Sequence, residues 1–324
     1  MTLKIILSLA TSFALVYAVT PRIIPYLKKL KFGQVVREEG PETHKSKSGT
    51  PTMGGVAILS GIILSYLLLV EKNVDSLVFF IVTIGFGAVG LLDDYIKVVK
   101  KRNLGLRAYQ KLVGQFIFAF VLVFYQYRYG ILGDAIYIPL FNQLVSLGWL
   151  YLPFAFIVVV GIVNSVNLTD GLDGLASGVT IVYLSCFLLV LLMLRDAIVI
   201  SQTHFVLIGA LIGALGGFLC YNRFPAKIFM GDVGSLSIGG AVATLSILTG
   251  TFIIFPVVGF VYLAETLSVV LQVAYFKSTG KRIFLMSPLH HHYEQKGLKE
   301  TQVVKGFYIA SLAFGLLAVL LVMI

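Results

Sequence analysis

Long apolar runs, each close to the length of a bilayer crossing, alternate with short polar connections along the whole chain. A helical crossing needs roughly 20 mostly apolar residues. Ten stretches meet or approach that length, at about 3–24, 53–70, 76–92, 112–130, 150–166, 174–194, 202–220, 235–250, 254–276 and 303–323. The pattern predicts an all-α polytopic membrane protein, one transmembrane domain over residues 1–324 with about ten helices. The break between the runs at 235–250 and 254–276 is barely marked. Residues 131–149 are punctuated by Gly, Pro and Asn and lead into Trp149 and Tyr151, as expected of a segment at the membrane interface.

Composition agrees. Of 324 residues 58% are hydrophobic and 12% charged, whereas a soluble domain carries about 25% charged residues. Lipid is therefore the solvent for most of the chain. The first run has one Lys and no A-x-A-like cleavage site, and is read as a retained helix rather than a signal peptide. Cys186 and Cys220 lie in apolar segments outside any CxxC pair and are expected as small core residues, not as a disulfide or zinc site.

The net charge of +10 does not point to nucleic acid, because the basic residues lie in short loops. Of 25 Lys and Arg, 21 fall in or beside the connections 28–52, 93–111, 167–173, 221–234 and 277–302; only Lys4, Lys72, Arg128 and Arg195 lie on the other side. The positive-inside rule puts those five connections in the cytoplasm and both termini outside.

Every unusual polar cluster falls in one of these five connections. In Asp93-Asp94-Tyr95-Ile96-Lys97, two adjacent carboxylates repel each other at a membrane boundary, so a cation is needed to keep both ionised: Mg²⁺, or a lysine such as Lys97. Asp94 and Lys97 also share a helix face, which allows a plain ion pair. Asn164 and Asn167 stand one helical turn apart and precede Asp170-Gly171-Leu172-Asp173-Gly174, whose glycines permit close backbone approach to a ligand. Such oxygen donors suit phosphates, ribose hydroxyls and hard cations.

The run from Asn222 through Phe229 to Gly231-Asp232-Val233-Gly234-Ser235 sets an aspartate at the mouth of the eighth run. Asp232 is a natural metal ligand there and the neighbouring amides an anion site, although Asp232 or Ser235 can also serve as an N-cap. His290, His291 and His292 are consecutive, about 100° apart on a helix, so they do not converge on one metal as an i, i+4 pair does. A hydrogen-bonding cluster for a pyrophosphate or sugar fits them better. Residues 45–55, with Lys47 and Thr52, form a basic, hydroxyl-bearing loop that serves either substrate or topology.

Two patterns carry no chemistry. Gly85, Gly87 and Gly90 match G-x-G-x-x-G but lie inside an apolar run with no strand before it, and Gly209-x-x-x-Gly213 is similar; both are expected at helix packing contacts. Glu265, an acid inside the ninth run with Gln272 two turns on, has no assignable role beyond lining a groove.

Together these motifs resemble the polyprenyl-phosphate N-acetylhexosamine 1-phosphate transferase superfamily over essentially the whole chain. The DDxxK at 93–97, the NxxNxxDGLDGL from Asn164 and the FMGDxGS from Phe229 are shared across it. The GTPTMGG at 49–55 and PLHHHYE at 288–294 resemble its muramoyl-pentapeptide branch; Val233 stands where Thr is common. The resemblance implies a Mg²⁺-dependent transferase of the bacterial inner membrane. It would join undecaprenyl phosphate to the phospho-sugar of UDP-MurNAc-pentapeptide, giving lipid I and UMP. It further implies Asp232 as Mg²⁺ ligand and Asp93 and Asp94 as catalytic acids. Lys47, Gly171, Leu172, Asp173, Asn222 and Phe229 would form a uridine pocket, with His290, His291 and His292 around the sugar and diphosphate. Thr52, Asn164, Asn167 and Asp170 join them as substrate-contact candidates, and Lys97 as a catalytic cation. A homodimer and inhibition by nucleoside antibiotics are implied too.

Phosphoryl transfer is mainly positioning and charge neutralisation. A phosphate monoester with a second pKa near 6 is already mostly a dianion at neutral pH, so a general base is not strictly required. Asp93 either takes a proton or holds a cation; direct attack is favoured over an aspartyl-phosphate intermediate. A polyprenyl chain needs an apolar groove, placed at runs five, eight and nine. A sister transferase using UDP-GlcNAc is the nearest alternative, which the His run and GTPTMGG disfavour. A metal-coupled transporter would set its acids near the midplane, not at one boundary.

Overall fold

The structure is a computed structural model of the 324-residue chain and describes residues 2–29, 47, 49–99 and 105–323. The described residues form twelve α-helices: α1 (Thr2–Lys29), α2 (Gly55–Leu69), α3 (Val74–Val99), α4 (Ala108–Tyr129), α5 (Tyr151–Thr169) and α6 (Leu175–Leu194) come first. Then follow α7 (Gln202–Asn222), α8 (Gly231–Leu248), α9 (Phe255–Val258), α10 (Phe260–Thr279), α11 (Leu289–Gln295) and α12 (Glu300–Leu321). The ten apolar runs match α1–α8, α10 and α12. Lys45, Ser46 and Ser48 of the basic loop lie outside the described residues.

Of the ten helices that match the apolar runs, nine, all but α2, are long and apolar enough to cross a membrane. At 15 residues α2 reaches only about 22 Å of a hydrocarbon core roughly 30 Å thick. It starts late because the chain before it runs along residues 229–230. The Phe229 amide donates to the Pro51 carbonyl at 2.8 Å, while the amides of Gly54 and Gly55 donate to the Phe229 and Met230 carbonyls, both at 2.9 Å. Non-helical backbone is tolerated at membrane depth where protein satisfies its polar groups.

At the centre, α8 is buried almost throughout, with α2, α3, α4 and α5 packed around it. Its sequence is rich in small residues, which let helices approach where lipid supplies no hydrophobic drive. Gly239 abuts the backbone of Val163 in α5, and Gly240 the Phe86 ring of α3. The glycines of the G-x-G-x-x-G run meet Phe118, Ser237 and the Asp232 carbonyl, so they are helix contacts, as are Gly209 and Gly213 against α1. Leu3, Phe120, Ile309 and other large apolar side chains stay exposed on α1, α4 and α12, as lipid-facing surfaces of a multi-pass protein.

Three local features differ from expectation. The segment after α4 closes into a hairpin, β1 (Ala135–Ile138) antiparallel to β2 (Gln143–Ser146), anchored where the Tyr137 amide donates to the Gly250 carbonyl at 2.9 Å. Trp149 is exposed, but Tyr151 is fully buried beside Tyr127 and Phe252, because it opens α5 on the side facing the bundle. Cys186 is a core residue, whereas Cys220 lies exposed near the end of α7.

Because the helices alternate in direction, the C-terminal ends of α3, α5, α7 and α10 meet the N-terminal ends of α4, α6, α8 and α12. The described parts of the basic connections thus share one end of the bundle.

Candidate active site

At that end three carboxylates converge. Ligand oxygens of Asp93, Asp94 and Asp232 lie within 4.8 Å of one another, the one such His/Cys/Asp/Glu group among the described residues. Two lysines hold them together. Lys97 Nζ is 2.5 Å from Asp93 Oδ2, 2.8 Å from Asp232 Oδ2 and 3.9 Å from Asp94 Oδ1. Lys111 Nζ, one turn into α4, is 3.0 Å from the same Asp232 Oδ2 and 3.4 Å from Asn167 Oδ1. Asn167 completes the ring, donating to Asp232 Oδ1 at 2.9 Å and to Ser235 Oγ at 2.7 Å. The sequence named Lys97 but not Lys111, whose only signal was its place at the edge of a basic connection.

Each acid is set by its helix. Asp93 accepts the Leu106 amide at 2.8 Å, which ties α3 to the approach of α4. Asp94 accepts the Val233 amide at 3.1 Å, so the free N–H groups opening α8 are met by a carboxylate of α3. Neither Asp232 nor Ser235 caps that helix; the Ser235 hydroxyl instead donates to the Gly231 carbonyl at 3.1 Å. Gly231 takes φ +72, a left-handed turn that a side chain would strain, and Thr52 lies beside it.

A second polar group adjoins the first. Lys47 Nζ lies 2.6 Å from both Asp173 Oδ1 and Glu300 Oε1, and Glu300 also accepts the Asp173 amide at 2.7 Å. Asp173 Oδ2 accepts the Ala226 amide at 2.8 Å, which joins the 170–174 loop to the turn after α7. Glu300 was missed in the sequence because it reads as an ordinary acid in the first turn of α12. Asn222 is buried: it accepts from Ser177 Oγ at 3.0 Å and donates to the Ile228 carbonyl at 3.0 Å. The Phe229 backbone carries the extended pairing with residues 51 and 54, and Leu172 is buried. Asn164 sits one turn deeper than Asn167 and exchanges amide hydrogen bonds with Gln115, at 2.8 and 3.2 Å, rather than joining the acids.

The three histidines have separate partners: His290 Nδ1 lies 3.1 Å from Glu265 Oε1, His291 Nδ1 2.9 Å from Glu294 Oε2, and His292 Nδ1 accepts the Leu285 amide at 3.1 Å. Burial and the nearby Lys296 push the His292 ring below its usual range, toward the neutral form. Gln272 secures this region, accepting the amides of Ile283 and Phe284 at 3.0 Å.

Asp170 is half-buried, and no side-chain partner holds it among the described residues. Burial, with Asp232, Asp94 and Asp173 nearby, pushes its carboxyl up from 3.8 to about 8. Between those two values the folded protein carries a proton that the unfolded chain has lost. Stability contributed by Asp170 therefore falls as pH rises through that window. Replacing Asp170 with Asn is expected to raise the melting temperature by roughly 4 °C or more above about pH 8, with the gap closing towards about pH 5. A melting series in detergent without added divalent ions measures it, and a pH-independent gap would refute the assignment.

Fold and site together define a polytopic membrane protein with a lysine-bridged carboxylate cluster at one end of its bundle. A family model described as glycosyl transferase family 4 matches residues 76–250, and phospho-N-acetylmuramoyl-pentapeptide-transferase signature 1 matches residues 47–59. The chain is 50% identical over 321 residues to the phospho-N-acetylmuramoyl-pentapeptide-transferase of Heliobacterium modesticaldum, covering 99% of this chain and 98% of that protein. It is 47% identical over 309 residues to the protein of that name from Thermoanaerobacter sp. strain X514, covering 95% and 96%. The protein of that name from Clostridioides difficile is 45% identical over 311 residues, covering 96% and 95%. This chain belongs to the phospho-N-acetylmuramoyl-pentapeptide-transferase family.

Proposed function

We propose that this protein transfers the phospho-N-acetylmuramoyl-pentapeptide group of UDP-MurNAc-pentapeptide to undecaprenyl phosphate, giving lipid I and UMP. The observation that carries the chemistry is the meeting of Asp93, Asp94 and Asp232 with Lys97 and Lys111 at one end of a membrane-spanning bundle. The positive-inside distribution supports a site facing the cytoplasm of a bacterial inner membrane. The 47–59 signature favours the muramoyl substrate over UDP-GlcNAc. Assembly as a homodimer and inhibition by nucleoside antibiotics belong to the same proposal.

The acids fit a hard divalent cation. Hard carboxylate oxygens this close together, near the lysines and with Asp232 partly exposed, suit Mg²⁺, which keeps few protein ligands and completes its shell with phosphates and water. Asp232, with Asp93 and Asp94, would hold it, and when bound it neutralises charge on the diphosphate.

The chain's own residues do the rest. Lys97 and Lys111 offer two ammonium groups where two anionic phosphates must come together, and they lower the repulsion that opposes the reaction. A phosphate oxygen of the acceptor bonds to the sugar-bearing phosphorus while that phosphorus loses its bond to the UMP oxygen. The acceptor is already mostly a dianion at neutral pH. Asp93, with one oxygen on Lys97 and the other on the Leu106 amide, is placed to aim the lysine rather than to take a proton. Lys47, Asp173 and Glu300 form a preorganised polar set for the nucleoside.

Purified full-length protein with UDP-MurNAc-pentapeptide, undecaprenyl phosphate and Mg²⁺ is expected to release UMP, and to release none when Mg²⁺ is chelated. UMP release from UDP-GlcNAc but not from the muramoyl nucleotide would overturn the substrate assignment.

A further inference from the structure

Glu265 lies inside α10 and is fully buried. Acids inside a membrane span carry function by default. The partner of this one is the first histidine of the run at 290–292: Glu265 Oε1 stands 3.1 Å from His290 Nδ1. His290 is itself 1% exposed, and its Nε2 has no hydrogen-bond partner, nor has Glu265 Oε2. The Nε2 edge of the ring rests on Gly171, where any Cβ would collide with it. Gly171 is the residue after Asp170, in the loop that also supplies Asp173 to Lys47. A buried donor-acceptor nitrogen left unmet, against a site loop, marks an interaction completed by something else.

We propose that Glu265 is a positioning residue for the transfer: it holds His290 with Nδ1–H directed into α10 and Nε2 directed at the 170–174 loop, where the substrate diphosphate meets it. This rests on the transferase reading above. A carboxylate on Nδ1 settles which nitrogen carries the proton there and fixes the ring plane. With Nδ1 engaged by that carboxylate, Nε2 is the ring atom left for a ligand. An amide in place of the carboxylate both donates and accepts, so it loses that control while keeping its size.

The test uses full-length protein and four forms: wild type, Glu265→Gln, His290→Ala and the double variant. Wild-type UMP release is measured first; its absence would sink the transferase reading itself, independently of the variants. Given release, Glu265→Gln is expected to lower kcat about ten- to a hundred-fold, with KM for the nucleotide changed less than about three-fold. The double variant should be within about two-fold of His290→Ala, because both changes disable one unit. Glu265→Asp, which keeps the charge, should recover part of the loss. Activity of Glu265→Gln within about two-fold of wild type, or losses that multiply in the double variant, would overturn the proposal. If Glu265→Gln does not purify as a monodisperse protein, Glu265→Met, which keeps the length and removes the carboxylate, replaces it in the cycle under the same criteria.

Discussion

Replacing Asp232 with Asn is expected to cut UMP release at least about a thousand-fold, the largest loss for any single side chain in the cluster. Asp232 is the carboxylate that both lysines share: Oδ2 stands 2.8 Å from Lys97 and 3.0 Å from Lys111, while Oδ1 accepts from Asn167. An amide has nearly the same shape but no charge. Lys97 would keep Asp93, whereas Lys111 would lose the one carboxylate it pairs with among the described residues and swing from the site. One of three clustered oxygen donors for a divalent cation disappears as well. The measurement is UMP release at saturating substrates over a Mg²⁺ titration, with the melting temperature as a check on folding. Partial recovery at high Mg²⁺ is expected if the loss is chiefly one of cation affinity. Activity within about ten-fold of wild type at ordinary Mg²⁺ would show that the cluster is not the reacting centre.

Adding a single methyl group at Gly90 should come second, with kcat lowered about a hundred-fold although Gly90 touches no substrate. Here α3 crosses α8 so closely that a Cβ on Gly90 would collide with the Asp232 carbonyl and approach the Val233 amide to 2.6 Å. Both are backbone atoms and cannot rotate away, so the helices must part. The hydrogen bond from the Val233 amide to Asp94 spans the same crossing, one turn along α3. Parting the helices therefore breaks it and moves Asp93 and Asp94 off Asp232. Overpacking of this kind also destabilises by about 1–3 kcal/mol. Gly161→Ala is the control, since nothing lies within 4 Å of a Cβ there; its activity should match wild type. Equal activity in both variants would mean that α3 and α8 yield without disturbing the acids.

The helices were legible in the sequence because the bilayer imposes a length and a composition on every crossing. Even the shortness of α2 has a trace there: Thr52-Met53-Gly54-Gly55 is a poor start for a helix. What replaces the missing turn is the pairing of residues 51–55 with 229–230, almost two hundred residues away, and no local pattern contains it. The hairpin at 135–146 escaped notice because its two strands have four residues each, too short for alternation to show. Tyr151 was expected at the interface because aromatic residues gather there, and its burial follows instead from which side of α5 faces the bundle.

The candidate site divides along the same line. The aspartates stood out because adjacent acids beside a membrane demand a cation, and the gathering of basic residues in alternate connections already placed those acids on a common side. Those are local or one-dimensional facts, set by solvent and charge, and the sequence by itself determined them. Only the tertiary structure decided who neutralises whom. Lys111 reads as one more positive residue in a loop and Glu300 as an ordinary first-turn acid, yet one grips Asp232 and the other Lys47. Asp94 spends an oxygen on the mouth of α8, and Glu265 finds His290 rather than standing alone in a groove. Ion pairs and caps form wherever helix crossings bring groups within about 3 Å. The crossings are set by small residues packing across the bundle, so the partners cannot be read from spacing along the chain.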